Sequence, residues 1–187
     1  MKNVIALDIG NVCFKLNPPL YKNSIEDPAI LLPLTNLFAD MELGKISEKI
    51  FITETLKATN FKFDEKAVRN TIFDIIGDEI KGMNEIVTSL TKKGFSFCFF
   101  SDTSPMHLAY TQRTLTFAHL IVGGVYSFEV GAFKPNSKMY ELFEYRYGTP
   151  VLYIDDKIEN CEGGSKRGWN SHQFQSVEKL KKITELL

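Results

Sequence analysis

The sequence predicts an α/β fold: a Rossmann-like, three-layer core on a parallel sheet, with a small helical cap inserted after the first strand. Three observations predict it. The chain opens on an uninterrupted apolar run, Val4, Ile5, Ala6 and Leu7, of the kind that fills a strand buried on both faces of a parallel sheet. From Phe14 to about Glu79 the pattern is helix-like, and from Met83 onward helices and apolar strands alternate in the βαβ rhythm. A chain of 187 residues, 44% hydrophobic and 24% charged, has material for one good core plus an appendage. The expected division is a core of residues 1–13 and 83–187 and a cap of residues 14–82.

The first strand delivers Asp8 into a Gly10-Asn11 turn. Within the insertion, Pro18, Pro19, Pro28 and Pro33 mark turns or helix starts. Ile46, Ile50, Phe51, Ile52 and Leu56 follow a helical stripe behind Ser47 as N-cap, and Val68, Ile72, Phe73, Ile75 and Ile76 repeat that period behind Asp64. The core resumes with a helix through Ile86, Val87 and Leu90 that ends at Gly94. An apolar run over 95–100 then leads into the polar turn Ser101-Asp102-Thr103 and a helix carrying 108–115. Residues 125–128 read as a short strand. A helix starting at Pro135 spaces Met139, Tyr140, Phe143 and Tyr147 at its period, and Gly148 closes it. Residues 151–154 form the next buried strand, ending at Asp155-Asp156. A helix over 158–167 stopped by Gly168, a last strand over 169–174 and a terminal helix over 177–187 complete the layout.

Formal net charge is −1 and there is no dense Lys/Arg stretch, so neither nucleic acid nor a membrane surface is expected as partner. The longest apolar stretches are too short to span a bilayer, and Asp8 interrupts the first one before a signal-peptide core would be complete. A cytoplasmic protein is expected. Cys13, Cys98 and Cys161 are far apart with no CxxC spacing, which points to buried reduced thiols. His107, His119 and His172 share no ligand spacing and read as satisfied or surface histidines.

The chemistry sits at the strand ends. Asp8 follows the first strand, Ser101 the second and Asp155-Asp156 the fourth, while Lys134 immediately precedes a helix. A parallel sheet brings such ends to one edge. The set then holds a carboxylate nucleophile, a hydroxyl beside backbone N–H groups, an ammonium and a pair of carboxylates, which is equipment for phosphoryl transfer through an aspartyl-phosphate. Asp8, Asp155 and Asp156 cannot all ionise cheaply in one cleft without a cation. Magnesium, an oxygen-seeking ion, resolves this and lets an anionic phosphate approach Asp8. Ser101 and the N–H groups of Asp102 and Thr103 are expected to hold a phosphate oxygen, with Asn11 in the first turn and Lys134 completing the substrate-binding set.

These residues resemble the motifs of the haloacid dehalogenase (HAD) superfamily, in its branch with a helical cap after the first strand. The first motif is similar to Asp8-Ile9-Gly10-Asn11-Val12, the second to Ser101 in Phe99-Phe100-Ser101-Asp102-Thr103. The third resembles Lys134 in Gly131-Ala132-Phe133-Lys134-Pro135, and the acidic fourth resembles Asp155-Asp156 with Asn160 one turn on. Glu42-Leu43-Gly44-Lys45-Ile46-Ser47 also looks like a recurrent cap segment; Glu42 and Lys45 in it could face substrate, but by themselves they read better as a solvated helix face. The resemblance implies a magnesium-dependent phosphomonoesterase acting on a small phosphorylated metabolite, with Asp8 as nucleophile. It implies a metal held by Asp8, the carbonyl of Gly10 and the Asp155-Asp156 pair. It also marks a departure, because most phosphatases of the superfamily carry at Gly10 an Asp that serves as general acid and base. The Asp-x-Gly-Asn-Val spelling resembles a branch containing sugar-phosphate phosphatases. Two other readings stand beside this one: a slow or non-catalytic phosphate-binding module, motivated by Gly10, and a metal-free 2-haloacid dehalogenase.

Overall fold

A computed structural model describes residues 3–17 and 28–187 of the chain, without the side chains of 28–31. Pro18 and Pro19 lie outside the described residues. The elements in order are β1 (Val4–Leu7), β2 (Phe14–Leu16), α1 (Pro28–Glu42), α2 (Glu48–Ala58), α3 (Glu65–Phe73), β3 (Ile76–Glu79), α4 (Met83–Lys92), β4 (Ser96–Ser101) and α5 (Pro105–Thr114). They continue with β5 (Ile121–Tyr126), the one-turn α6 (Ser127–Val130), α7 (Ser137–Tyr147), β6 (Leu152–Asp155), α8 (Ile158–Ser165), β7 (Ser171–Gln173) and α9 (Val177–Thr184).

Five strands make one parallel sheet in the order β5-β4-β1-β6-β7. The chain builds outward from β1 through β4 to β5, then returns to the other side of β1 for β6 and β7. The order therefore reverses between β1 and β6, and ligands of open α/β sheets sit in the crevice beyond the carboxyl ends at such a reversal.

Both faces of β1 are apolar because both are covered. Ile5 and Leu7 join Phe97, Phe99, Leu152 and Ile154 against α4 and α9, while Val4 and Ala6 join Cys98, Phe100 and Tyr153 against α7 and Trp169. Successive residues point to opposite faces, so Asp8 follows Ala6 onto the second face, as Asp155 follows Tyr153. On that face Phe100 meets the rings of Tyr140, Phe143 and Tyr153 edge-on at 5.0–5.3 Å and that of Trp169 at 5.5 Å. Phe100→Ala is expected to cost about 3–5 kcal/mol, the range for emptying a packed aromatic site. Denaturant unfolding should show it as a lower midpoint with an unchanged slope.

Helices α1 to α3 form their own apolar cluster of Met41, Phe51, Ile52, Val68 and Ile72, which Met106 of α5 joins from the sheet side. Ser47 and Asp64 cap α2 and α3 as expected, accepting from the N–H groups of Ile50 and Ala67. The insertion departs from an all-helical reading at both ends, because β2 and β3 pair as an antiparallel two-stranded ribbon. Ile76 therefore belongs to a strand rather than to the α3 stripe. Ile50 is exposed while Phe51 and Ile52 are buried, and Pro33 lies inside α1 rather than at a start. In the core, α7 begins at Ser137 behind an Asn136 cap, and the apolar run after Gly123 is the end of β5, closed by α6. The three cysteines are buried and unpaired. No described helix is long and apolar enough to cross a membrane.

Candidate active site

The neighbours of β1 are β4 and β6, so Asp8, Ser101 and Asp155 end adjacent strands side by side. The Asp8 N–H donates to the Ile154 carbonyl at 3.0 Å, which extends the β1–β6 ladder to the nucleophile candidate itself. The chain then turns sharply, with the Cys13 N–H on the Ile9 carbonyl and Asn11 at positive φ, a conformation asparagine tolerates. Lys134 arrives from the loop after α6, its backbone N–H held by Asp102 Oδ1 at 3.0 Å.

The Lys134 ammonium is the hub. Its Nζ lies 2.9 Å from Asp8 Oδ1, 2.6 Å from Asp155 Oδ2 and 2.7 Å from the Phe100 carbonyl, which occupies all three of its hydrogens. It also sits 5.2 Å over the Phe100 ring. Asp155 is filled in the same way. Oδ2 accepts from Lys134 and the Tyr153 hydroxyl, and Oδ1 from the Lys157 N–H and Asn160 Nδ2, all at 2.6–2.9 Å. A carboxylate has about four lone-pair positions, so Asp155 is saturated. Among the described residues Asp156 accepts on one side-chain oxygen, from Asn11 Nδ2 at 2.9 Å, which leaves the other open. Asn11 thereby ties the first turn to Asp156, and its Oδ1 receives the Leu16 N–H.

Burial pushes Asp8 up to about 7; Lys134 pulls it back, Asp155 adds to the rise, and the Ser101 hydroxyl bonds the carboxylate. Burial also opposes the ionised Asp155, but Lys134, Tyr153 and the Lys157 N–H outweigh it and hold the group below the usual carboxylate value. For Lys134, burial works against the charge, yet Asp8, Asp155 and Asp102 prevail and its pKa is raised.

Asp8, Asp155 and Asp156 each offer an oxygen within 4.8 Å of the others. Three carboxylates meet one ammonium at this rim, and burial already pushes Asp8 up to about 7, so the trio carries its full negative charge only beside a cation. An all-oxygen donor set of that kind fits a hard divalent cation. Among the described residues Asp8 and Asp156 keep oxygen positions open to bind it, while Asp155 fixes Lys134 against Asp8.

No protein-family model matches the sequence, and a search of curated proteins finds no relative. Solved structures do match over nearly the whole chain. A HAD-family enzyme from Bacteroides thetaiotaomicron, solved with magnesium and inorganic phosphate, superimposes with a TM-score of 0.80 at 15% identity, covering 93% of this chain and 94% of that one. A predicted HAD-like family hydrolase from Porphyromonas gingivalis gives 0.82 at 21%, covering 98% and 97%. The chain has the HAD-like fold. The L-2-haloacid dehalogenase of Xanthobacter autotrophicus, with chloropropionic acid covalently bound, shares it at a TM-score of 0.65 and 13% identity, covering 97% of this chain and 82% of that one.

On this HAD-like scaffold a cavity of about 620 Å³ opens between the sheet edge and the inserted helices, lined by Gly10, Ser101, Asp102 and Lys134 below and by Phe38 and Glu42 above. Phe14, Ile75 and Phe133 give it apolar walls. Two sequence expectations change here. The Thr103 N–H donates to Ser127 Oγ at 2.9 Å and is not free for phosphate. Glu42, expected on a solvated face, faces the cavity because the fold clamps it there. The Ser127 hydroxyl reaches its carbonyl at 2.7 Å, and Gly44, at positive φ, packs so close to the Phe128 backbone that no side chain fits. Tyr153 was missed although it is legible, since two residues before Asp155 on a strand means the same face. Ser127 leaves no such signal.

Burial pushes the Glu42 carboxyl up to about 7, with Asp102 adding to the rise and Lys157 opposing it. The folded chain therefore holds this proton more tightly than the unfolded one, and stability falls as pH rises from about 4.5 to 7. Asp8 contributes in the same sense in metal-free protein. Glu42→Gln is expected to make the decline of Tm across that window shallower.

Proposed function

We propose that this chain is a magnesium-dependent phosphomonoester hydrolase that acts on a small phosphorylated metabolite through an aspartyl-phosphate on Asp8. The observation that carries the reading is the Lys134 ammonium locked between Asp8 and Asp155 beside the open oxygen of Asp156. A bound magnesium would offset the remaining charge of the carboxylates and of the phosphate dianion. The chain's residues then divide the work. Asp8 attacks phosphorus, Lys134 keeps its carboxylate oriented, and Ser101 with the Asp102 loop steadies a phosphate oxygen. Asn11 acts through Asp156, holding that carboxylate at the rim. The inserted helices, as the cap, close over the leaving group. A cytoplasmic setting suits three buried thiols.

Phosphate release should be measured over sugar, nucleotide and amino-acid phosphates with magnesium and with chelator, and halide release from 2-chloropropionate in parallel. Magnesium-dependent phosphate release is the expected result. Metal-independent halide release would assign the dehalogenase reading instead, and phosphate binding without turnover the slow module.

Position 10 supplies a separate check. A Cβ built on Gly10 would lie 2.8 Å from Leu16 Cδ1, the tip of a side chain that is 44% exposed and free to swing. Gly10→Asp is expected to fold and to turn over at or above the native rate. A loss beyond about tenfold, 1.4 kcal/mol in the barrier, would mean the site needs Leu16 where it is.

A further inference from the structure

Displacing an alkoxide from phosphorus at neutral pH requires a proton for the leaving oxygen. On the hydrolase reading above, that proton comes from a group lining the cavity. Lys134 has all three hydrogens engaged on Asp8, Asp155 and the Phe100 carbonyl. His107 has Nε2 engaged on the Ile72 carbonyl at 2.9 Å, and burial lowers its pKa, which disfavours the imidazolium. Asp102 is tied to the Lys134 N–H, and Gly10 has no side chain, with Leu16 beside the place one would take. The Glu42 carboxyl is different. It lines the same cavity as Ser101 and Lys134 and has no hydrogen-bond or ion-pair partner among the described residues. Its backbone is fixed by Ser127 from one side and by the buried Met41 from the other. Asp102 and Lys157 are the charged groups facing it, and burial keeps it protonated to near neutrality.

We infer that Glu42 is the general acid and base of this site, delivered by the inserted helices rather than by the turn after β1. In the first step an Asp8 oxygen bonds to phosphorus, the bond from phosphorus to the leaving oxygen breaks, and its electron pair takes the Glu42 proton to give the free alcohol. In the second, the Glu42 carboxylate removes a proton from water as the water oxygen bonds to the aspartyl-phosphate. The phosphorus–Asp8 oxygen bond breaks, releasing inorganic phosphate and returning Asp8 ionised and Glu42 neutral.

The experiment compares wild type, Glu42→Gln and Asp102→Asn on a series from 4-nitrophenyl phosphate, whose leaving group needs no proton, through phenyl phosphate to an alkyl phosphate. Glu42→Gln is expected to lose about 10²-fold or more in kcat/KM on the alkyl ester while staying within a few-fold in kcat/KM on 4-nitrophenyl phosphate, because kcat/KM reports the phosphorylation of Asp8 and not the later hydrolysis that Glu42 also serves. The slope of log kcat/KM against leaving-group pKa should steepen. Binding of magnesium with beryllium fluoride, measured by calorimetry, should be unchanged and so report an intact site. An equal loss of kcat/KM across the series, no loss, or the steepened slope in Asp102→Asn instead would overturn the assignment to Glu42 alone. A wild type that hydrolyses no ester of the series would remove the hydrolase reading together with it.

Discussion

Asp8→Asn is expected to abolish phosphate release while leaving the fold intact. Asparagine fills the same volume and keeps one oxygen to accept from Lys134, so the packing at the end of β1 is preserved. The substitution also removes a negative charge that burial already disfavours, so metal-free protein at neutral pH should unfold no more easily than wild type. What disappears is the nucleophilic oxygen. An amide cannot form the acyl phosphate, and the loss is expected to reach at least about 10⁴-fold in kcat, the scale on which covalent catalysts fail without their nucleophile. Steady-state phosphate release beside thermal unfolding checks both halves. Activity within tenfold of wild type would remove Asp8 from the mechanism.

Lys134→Met is expected to damage stability and activity together. Methionine matches the stem but leaves Asp8 and Asp155 facing each other at the sheet edge with no counter-charge. It also leaves the Phe100 carbonyl and the Tyr153-Asp155-Asn160 network without their centre. Removing one partner of a buried ion pair costs about 3–5 kcal/mol. For a chain of this size that is a fall in Tm of roughly 6–20 °C. Magnesium should return part of the loss, because it offsets the same charges, whereas wild type should gain less from the metal. Turnover should not return with stability, since Asp8 is no longer held in place. A variant as stable as wild type in chelator would mean that Asp8 or Asp155 is protonated in the resting protein and that the deficit of charge assigned to the metal is smaller.

Much of this site could be read from the chain because each part follows an unmistakable local signal. Asp8, Ser101 and Asp155 end apolar runs whose only explanation is a doubly covered strand, and parallel strands bring their ends to one edge. Lys134 announces itself less by composition than by its place between the second and fourth of these ends. The ribbon of β2 and β3 escaped the reading because its strands are three and four residues long and carry Lys15, Gly77 and Asp78, so no alternation has room to develop. Glu42 escaped it for a different reason. Its helical period marks it as polar and outward, which it is with respect to its own cluster, but the outward face of α1 turns toward the sheet edge. That orientation is set by Ser127 and Phe128, some eighty residues away, and docking of this kind leaves no trace in local pattern. The division of labour between Asp155 and Asp156 is likewise a matter of which neighbours donate, and only the hydrogen bonds reveal it.

The central claim is that Asp8 and Asp156 share one divalent ion while Asp8 presents an oxygen to phosphorus. A crystal structure of the wild-type protein with magnesium and beryllium fluoride, which mimics a phosphoryl group on a carboxylate, tests it without knowledge of the substrate. The account requires beryllium bonded to one Asp8 oxygen and magnesium on the other, with Asp156 coordinating directly and Asp155 still holding Lys134. Magnesium bound away from this trio, or beryllium fluoride absent from Asp8 at saturating concentration, would contradict it.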